Sequence, residues 1–226
     1  MEIKFLGHSC FSIKLQNTQL LIDPFISGNE KAKHIGLNEL NPDFILLSHG
    51  HQDHVLDAEA IAKKSGATII ANYEVASWFE SKGIENTVGM NHGGNYIFKD
   101  GSLKFVPAVH SSVLPDGTYG GNPVGFIIKA EEQRIYYAGD TGLTIEMELV
   151  GRYEEPTLAI LPIGDTFTMG VTDAIRCSDL VRCDKVIGMH YDTFPPIEID
   201  KEDSKRRFAA MNKELILMDV GETFMF

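Results

Sequence analysis

Three imidazoles and one carboxylate fall within six consecutive positions, His49-Gly50-His51-Gln52-Asp53-His54, directly after the apolar run Phe44-Ile45-Leu46-Leu47. Neutral imidazole and carboxylate are the nitrogen and oxygen donors that zinc and its transition-series neighbours accept. Packing alone gives histidine no reason to recur at this spacing. His49 and His51 are two apart, so in an extended segment both side chains leave on one side. Asp53 and His54 fall where the chain turns into a helix. That helix is read over 57–65, with Asp57 as its N-cap, lysines in the last turn and Gly66 at C′. Two donors from each half of the loop could therefore face two different metal ions.

A metal held there needs more ligands than one loop supplies, and strands of an α/β sheet deliver ligand-binding residues at their carboxyl ends. Three further strand patterns end on a donor. They are 103–109 before His110, 134–139 before Asp140, and 185–189 before His190. With the hexapeptide this makes seven donors, enough for two four-coordinate ions that share one carboxylate and one hydroxide. The hydroxide follows from the chemistry of paired ions, which together lower the pKa of a shared water toward neutrality.

The His-x-His-x-Asp-His run after a short apolar strand resembles the signature of the metallo-β-lactamase fold superfamily. The likeness extends along nearly the whole chain. It is closest to small stand-alone metal-dependent hydrolases related to ascorbate-6-phosphate lactonase. Segments 7–11 (Gly-His-Ser-Cys-Phe), 21–25 (Leu-Ile-Asp-Pro-Phe), 164–170 and 190–195 carry that closer match. The resemblance implies one metal site at His49, His51 and His110, a second at Asp53, His54 and His190, and Asp140 as the bridging carboxylate. It also implies that Asp23 steadies the histidine loop. The fold it implies is α/β (α+β), a four-layer αββα sandwich of two mixed sheets.

The remaining candidates are weaker. Asp53 and His8 are the catalytic candidates, Asp53 as a ligand able to hydrogen-bond the hydroxide and His8 as a substrate contact. Asp23, Asp165, Thr168 and Tyr119 are candidates for supporting or substrate roles. Asp165 and Thr168 follow another strand ending, and Tyr119 sits in the long glycine-rich loop 111–123. His34 and His92 lie in polar loops and read as solvent-facing or structural.

Strands are expected at 2–7, 10–15, 19–22, 44–47, 68–71, 124–130, 134–138, 158–162, 185–189 and 214–218, with a further one at 223–226. A hairpin is expected over 96–105, turning on Asp100-Gly101 in type I′ geometry. Helices are expected at 57–65, 73–82, 143–152, 171–182 and 201–212. Two mixed sheets back to back with helices outside are the simplest packing of these elements, and residues 1–226 read as a single domain.

Composition sets outer bounds. A net charge of −12 over 226 residues, with a pI near 5.0, argues against a binder of nucleic-acid backbone. It fits a small polar or anionic substrate drawn to a locally positive metal site. Cys10, Cys177 and Cys183 are an odd, scattered set and read as reduced thiols. No run is long enough to span a bilayer, so a cytoplasmic protein without membrane partners is expected. Oligomerisation is left open.

The reading is therefore a dinuclear metal-dependent hydrolase. It would use a metal-bridging hydroxide on a small ester, lactone or phosphoester-like substrate. Zinc is the first expectation for the two divalent ions, with manganese, iron, cobalt and nickel open. The alternatives are a non-catalytic metal-binding or sensor module of the same fold and, behind it, a nuclease of the superfamily.

Overall fold

Ile3, Phe5, Phe11, Ile13, Leu20 and Ile22 alternate along three consecutive strands and turn to one side, while Leu6 and Leu21 turn to the other. That period of two defines a sheet covered on both faces. In the computed structural model, which describes residues 1–226, the pattern resolves into two seven-stranded sheets.

The first sheet is built from β1 (Glu2–Gly7), β2 (Cys10–Lys14), β3 (Gln19–Ile22), β4 (Phe44–Leu46), β5 (Thr68–Asn72) and β6 (Thr87–Met90). Between its strands run α1 (Gln52–Val55), α2 (Ala58–Ser65) and α3 (Tyr73–Ser81). The second sheet is built from β7 (Asn95–Phe98), β8 (Gly101–Pro107), β9 (Val124–Ala130), β10 (Gln133–Tyr137), β11 (Leu158–Pro162), β12 (Lys185–Met189) and β13 (Glu214–Ile216). Its helices are α4 (Glu146–Tyr153), α5 (Val171–Leu180) and α6 (Lys201–Ala209). The final strand, β14 (Thr223–Met225), returns to the first sheet and pairs antiparallel with β1. The orders are β14-β1-β2-β3-β4-β5-β6 and β13-β12-β11-β10-β9-β8-β7, each mixing parallel and antiparallel pairs.

Three apolar layers hold this together. The central one joins the facing sheets through side chains such as Phe11, Ile22, Phe105, Phe126 and Tyr137. A second seats α2 and α3 through Ile61, Val75 and Phe79. The third seats α4, α5 and α6 through Val150, Cys177 and Phe208. The result is the expected four-layer αββα sandwich. No helix is long and apolar enough to cross a membrane. All three cysteines are buried and unpaired.

Two local expectations are corrected. The hairpin turns on Lys99-Asp100, and Gly101 is already the first residue of β8, opposite Phe98. Neither turn residue has positive φ, so the turn is not type I′. The Asp100 carboxylate instead accepts from the Asn17 amide (2.7 Å) and the Thr18 hydroxyl (2.9 Å), joining hairpins of the two sheets. Gly101 is needed for space, because a Cβ there would lie 2.2 Å from the Lys129 carbonyl. Asp57 does stand at the start of α2, but its side chain does not cap the helix. It accepts from the amides of Ile26 (2.6 Å) and Ser27 (2.9 Å), fixing the segment after β3. The edge strand β6 was not anticipated; its Thr-Val-Gly-Met sequence is short and only half-buried.

Candidate metal centre

Every one of the seven donors lies just beyond the carboxyl end of a strand. His49, His51, Asp53 and His54 follow β4, His110 follows β8, Asp140 follows β10 and His190 follows β12. Two cross-sheet backbone bonds draw these ends together. The Val124 amide donates to the Ser48 carbonyl (2.9 Å), and the His190 amide donates to the His8 carbonyl (2.9 Å).

The side chains converge. Ligand-capable atoms of His49, His51 and His110 lie within 4.8 Å of one another, as do those of His8, Asp53, His54 and His190, and those of His49, His54 and Asp140. Asp140 Oδ2 stands between the groups, at 3.0 Å from His190 Nε2, 3.3 Å from His54 Nε2 and 3.7 Å from His110 Nε2. Asp53 Oδ2 is 3.0 Å from His8 Nε2 and 3.7 Å from His54 Nε2. His49, His54, Asp140 and His190 are buried, whereas His51, Asp53 and His110 are partly exposed and mark the open side.

One buried carboxylate sets the ring orientations. Asp23 accepts from His54 Nδ1 (2.9 Å), from the Ser48 amide (2.8 Å) and from the Ser48 hydroxyl (2.6 Å). The Tyr137 hydroxyl lies 2.7 Å from the same carboxylate. Since the Ser48 proton goes to Asp23, Ser48 Oγ is left to accept from His49 Nδ1 at 3.0 Å. Both histidines therefore carry their proton on Nδ1 and turn a bare Nε2 inward. This arrangement of carboxylate behind imidazole is the one that orients metal-binding histidines.

The consequence at His54 is direct. Its Nε2 faces two carboxylates and has no hydrogen-bond partner, so acceptor meets acceptor unless a cation or a second ring proton stands between them. Asp140 Oδ1, His190 Nδ1 and Ser9 Oγ are the other buried polar atoms without a partner, and all belong to or adjoin this cluster. Leaving such atoms unsatisfied costs about 1–3 kcal/mol each. The donor set and its unsatisfied atoms fit divalent cations.

Charge within the cluster is graded. Burial lowers the pKa of His49 well below the ordinary imidazole value and also lowers those of His51 and His110, so these rings are neutral. Burial likewise brings His8 down to about 4, in spite of its bond to Asp53. His54 moves the other way: burial opposes its charge, but Asp140, Asp23 and Asp53 together outweigh burial. Asp140 is held well below the usual carboxylate range, because His54 and His190 outweigh its desolvation.

Strained backbone accompanies the site. His8 (φ 56°), Asp23 (φ 43°) and His190 (φ 54°) occupy the left-handed region that non-glycine residues rarely adopt. Each sits where a strand ends and the chain must turn its side chain toward the cluster. Gly139, at φ 66°, performs the same turn before Asp140.

The family model described as "Beta-lactamase superfamily domain" matches residues 2–190. This chain belongs to that superfamily. Within the superfamily its relatives include a "UPF0173 metal-dependent hydrolase" of Christiangramia forsetii, 50% identical over 224 residues and covering 99% of both chains. A protein of the same description from Methylacidiphilum infernorum is 46% identical over 225 residues and covers 100% of both. Among solved structures, a metallo hydrolase from the archaeon Ignicoccus hospitalis superposes with a TM-score of 0.90 at 33% identity, covering 100% of this chain and 98% of that one. The superfamily member described here is accordingly a metal-dependent hydrolase, and its His/Asp cluster is where metal could bind.

The other sequence candidates are placed differently. His8 joins the cluster: Nε2 is bonded to Asp53 and Nδ1 lies 2.9 Å from Thr193 Oγ1. Asp23 is fully buried behind the histidine loop. Asp165 is exposed in a left-handed turn, where it accepts from the Thr166 amide (2.8 Å). It lines a cavity of about 300 Å³ beside the starts of α5 and α6, and none of that cavity's lining residues belongs to the cluster. Thr168 bonds within the same turn. Tyr119 is exposed over an open groove against α3, with Tyr73 and Trp78. His92 bonds the Pro123 carbonyl (2.9 Å) and His34 is exposed. Sequence reasoning missed Ser48, Tyr137 and Thr193, and also Ser111, whose Oγ is 3.4 Å from His51 Nε2.

Proposed function

We propose that the cluster is a dinuclear centre that hydrolyses a small ester, lactone or phosphoester-like substrate. His49, His51 and His110 would hold one divalent ion and Asp53, His54 and His190 the other, with Asp140 shared; zinc suits the donors best, and manganese, iron, cobalt and nickel also accept them. Such a pair, when bound, supplies a water-derived nucleophile at neutral pH and polarises the oxygen of the scissile group. The observation that carries this reading is Asp140 Oδ2, which stands within 3.7 Å of three imidazole Nε2 atoms from three different segments of the chain.

The chain's own residues divide the remaining tasks. Asp23 and Ser48 hold His54 and His49 in the tautomer that presents Nε2. His8 donates from Nε2 to Asp53, with the Thr193 hydroxyl against its other nitrogen, so the Asp53 carboxylate is fixed on the open side of the cluster. The catalytic residues in this reading are Asp53, through its contact with the reacting water, and His8, through contact with substrate beside it. The whole chain, 1–226, would work as one unit, because the central apolar layer draws on both sheets.

Metal analysis of purified protein tests the reading, together with His51→Ala and Asp140→Ala. Close to two ions per chain, and loss of hydrolysis in both variants, is the expected result. Fewer than one ion per chain, or full activity in either variant, would falsify it.

A further inference from the structure

Just after His110 the chain doubles back on itself. Pro115-Asp116-Gly117 is the composition of a type I turn closed by glycine, and Gly117 has φ 86°. The Gly117 amide donates to the Leu114 carbonyl (2.8 Å), the Leu114 amide to the Thr118 carbonyl (2.8 Å) and the Gly120 amide to the Ser112 carbonyl (3.2 Å). Val113 and Tyr119 pair between these bonds. Residues 112–120 therefore form a small hairpin.

By chain this hairpin belongs to the second sheet, since it lies between β8 and β9. By contact it belongs to the first. Leu114 is buried in the apolar layer that seats α2 and α3. The Trp78 indole of α3 donates to Asp116 (2.6 Å). Asn72, the N-cap of α3, donates to the carbonyls of Gly120 (2.7 Å) and Asn122 (3.1 Å). His49 and His51 follow a strand of the first sheet and His110 a strand of the second. The hairpin thus spans the gap that one proposed metal site must bridge.

Three consecutive residues face that site. His110 is a proposed ligand. Ser111 Oγ lies 3.4 Å from His51 Nε2, the outer ring nitrogen, because His51 Nδ1 is the one at 2.9 Å from His49 Nε2. Ser112 Oγ accepts from the amide of Gly50, between His49 and His51, at 3.0 Å, and donates its own proton to the Gly120 carbonyl (2.8 Å). Gly50 is buried, and its amide meets no other acceptor. A buried amide without an acceptor is costly, so the loop needs the Ser112 hydroxyl where it stands. Two glycines make room for it. A Cβ at Gly50 would lie 3.3 Å from Ser112 Oγ and 3.1 Å from Leu114 Cγ, and a Cβ at Gly120 would collide with the same hydroxyl. No hydrogen bond of residues 111–120 reaches Asp53, His54 or His190.

We infer that Ser112 is a positioning residue for one of the two metal sites: its hydroxyl holds the Gly50 peptide, and with it His49 and His51, within reach of His110. This rests on the paired sites proposed above. Fixing the peptide between two ligands fixes where both rings start, so less ordering remains when an ion binds.

Two measurements on the full-length protein test it. The first is amide hydrogen exchange in the metal-free protein, followed by NMR. Gly50 should exchange about tenfold faster in Ser112→Ala, as loss of one hydrogen bond gives, and Ser112→Thr should restore protection by keeping the hydroxyl. The second reads each ion separately, from anomalous peak heights in crystals equilibrated against stepped zinc buffers. In Ser112→Ala the zinc concentration that half-fills the site at His49, His51 and His110 should rise about tenfold, the lower range for a partner behind a ligand. The site at Asp53, His54 and His190 should move by less than about twofold. Trp78→Phe releases Asp116 but leaves the Ser112 hydroxyl in place, and should change neither site. A first-site shift in Trp78→Phe as large as that in Ser112→Ala would assign the effect to the hairpin as a whole and overturn the role of the hydroxyl. Unchanged Gly50 exchange in Ser112→Ala, equal weakening of both sites, or Ser112→Thr as weak as Ser112→Ala also overturns the inference. Absence of zinc at these residues in the parent protein would contradict the paired centre itself, and Gly50 exchange would still decide whether Ser112 holds the loop.

Discussion

Asp23 Oδ2 lies 2.9 Å from His54 Nδ1, and neither side chain is exposed to solvent. Asp23 ends β3 and His54 belongs to α1, so the pair joins the two segments that flank β4. Through Ser48 the same carboxylate also fixes His49. A single buried acid thus orients one imidazole on each side of the cluster.

Asp23→Asn keeps the shape but replaces one acceptor oxygen with a donor. At least one of His54, Ser48 and Tyr137 then meets an N–H instead of an acceptor. Metal affinity should fall about 10- to 100-fold, the usual effect of losing a partner behind a metal-binding histidine. Competition with a chelating dye measures this, and unchanged affinity would remove Asp23 from its orienting role.

His8 is buried and contacts Asp53 through Nε2 at 3.0 Å. His8→Ala removes the donor without removing any of the seven proposed ligands. Turnover should drop by about 100-fold, because Asp53 loses the donor that fixes it against the reacting water, with metal content preserved. Loss of metal in proportion to activity would make His8 a ligand instead.

Gly164 makes room for the backbone after β12. A Cβ at Gly164 would lie 2.1 Å from the His190 carbonyl and 2.9 Å from Ile197 Cβ. Gly164→Ala should therefore destabilise the fold by about 1–3 kcal/mol, as overpacking does, and weaken metal binding by displacing His190. Urea denaturation with and without metal reads both effects, and a variant as stable as the parent would show that the 163–170 connection yields freely.

Glu154 is nearly buried after α4 and paired with Lys104 at 2.5 Å and Lys129 at 2.7 Å. Burial raises its carboxyl pKa, but the two ammonium groups outweigh burial and hold it below the ordinary 4.5. A depressed carboxylate stabilises above its unfolded pKa and loses that contribution as pH falls through the folded value. Glu154→Gln should therefore cost about 0.5–1 kcal/mol at pH 7, since both lysines are partly exposed. The difference should close as pH falls below 4.5. Equal stability of parent and variant at pH 7 would contradict this.

The meeting of the seven His and Asp side chains was legible because each follows a strand that its own residues specify. The hexapeptide supplied the chemistry, and the strand endings at His110, Asp140 and His190 supplied the meeting place. The same rule pointed equally to Asp165, but Asp165 is exposed beside the starts of α5 and α6, and nothing in residues 163–170 announces that in the sequence. Ser48 and Tyr137 were not legible as site residues. Alternation marks Tyr137 as core, and only the arrival of Asp23 and the Ser9 carbonyl from the opposite sheet gives its hydroxyl partners. The left-handed backbone of His8, Asp23 and His190 leaves no sequence signal either, since glycine or asparagine would be the usual choice there. The hairpin turn was misread because Asp100-Gly101 fits a type I′ turn by composition, whereas Asp100 is held by a loop of the other sheet.

The most direct measurement is a crystal structure of zinc-loaded protein with anomalous diffraction recorded on both sides of the zinc absorption edge. Two anomalous peaks are predicted, one among His49, His51 and His110 and one among Asp53, His54 and His190, with Asp140 touching both. No peak at these residues, or metal bound elsewhere on the chain, would contradict the assignment of the centre.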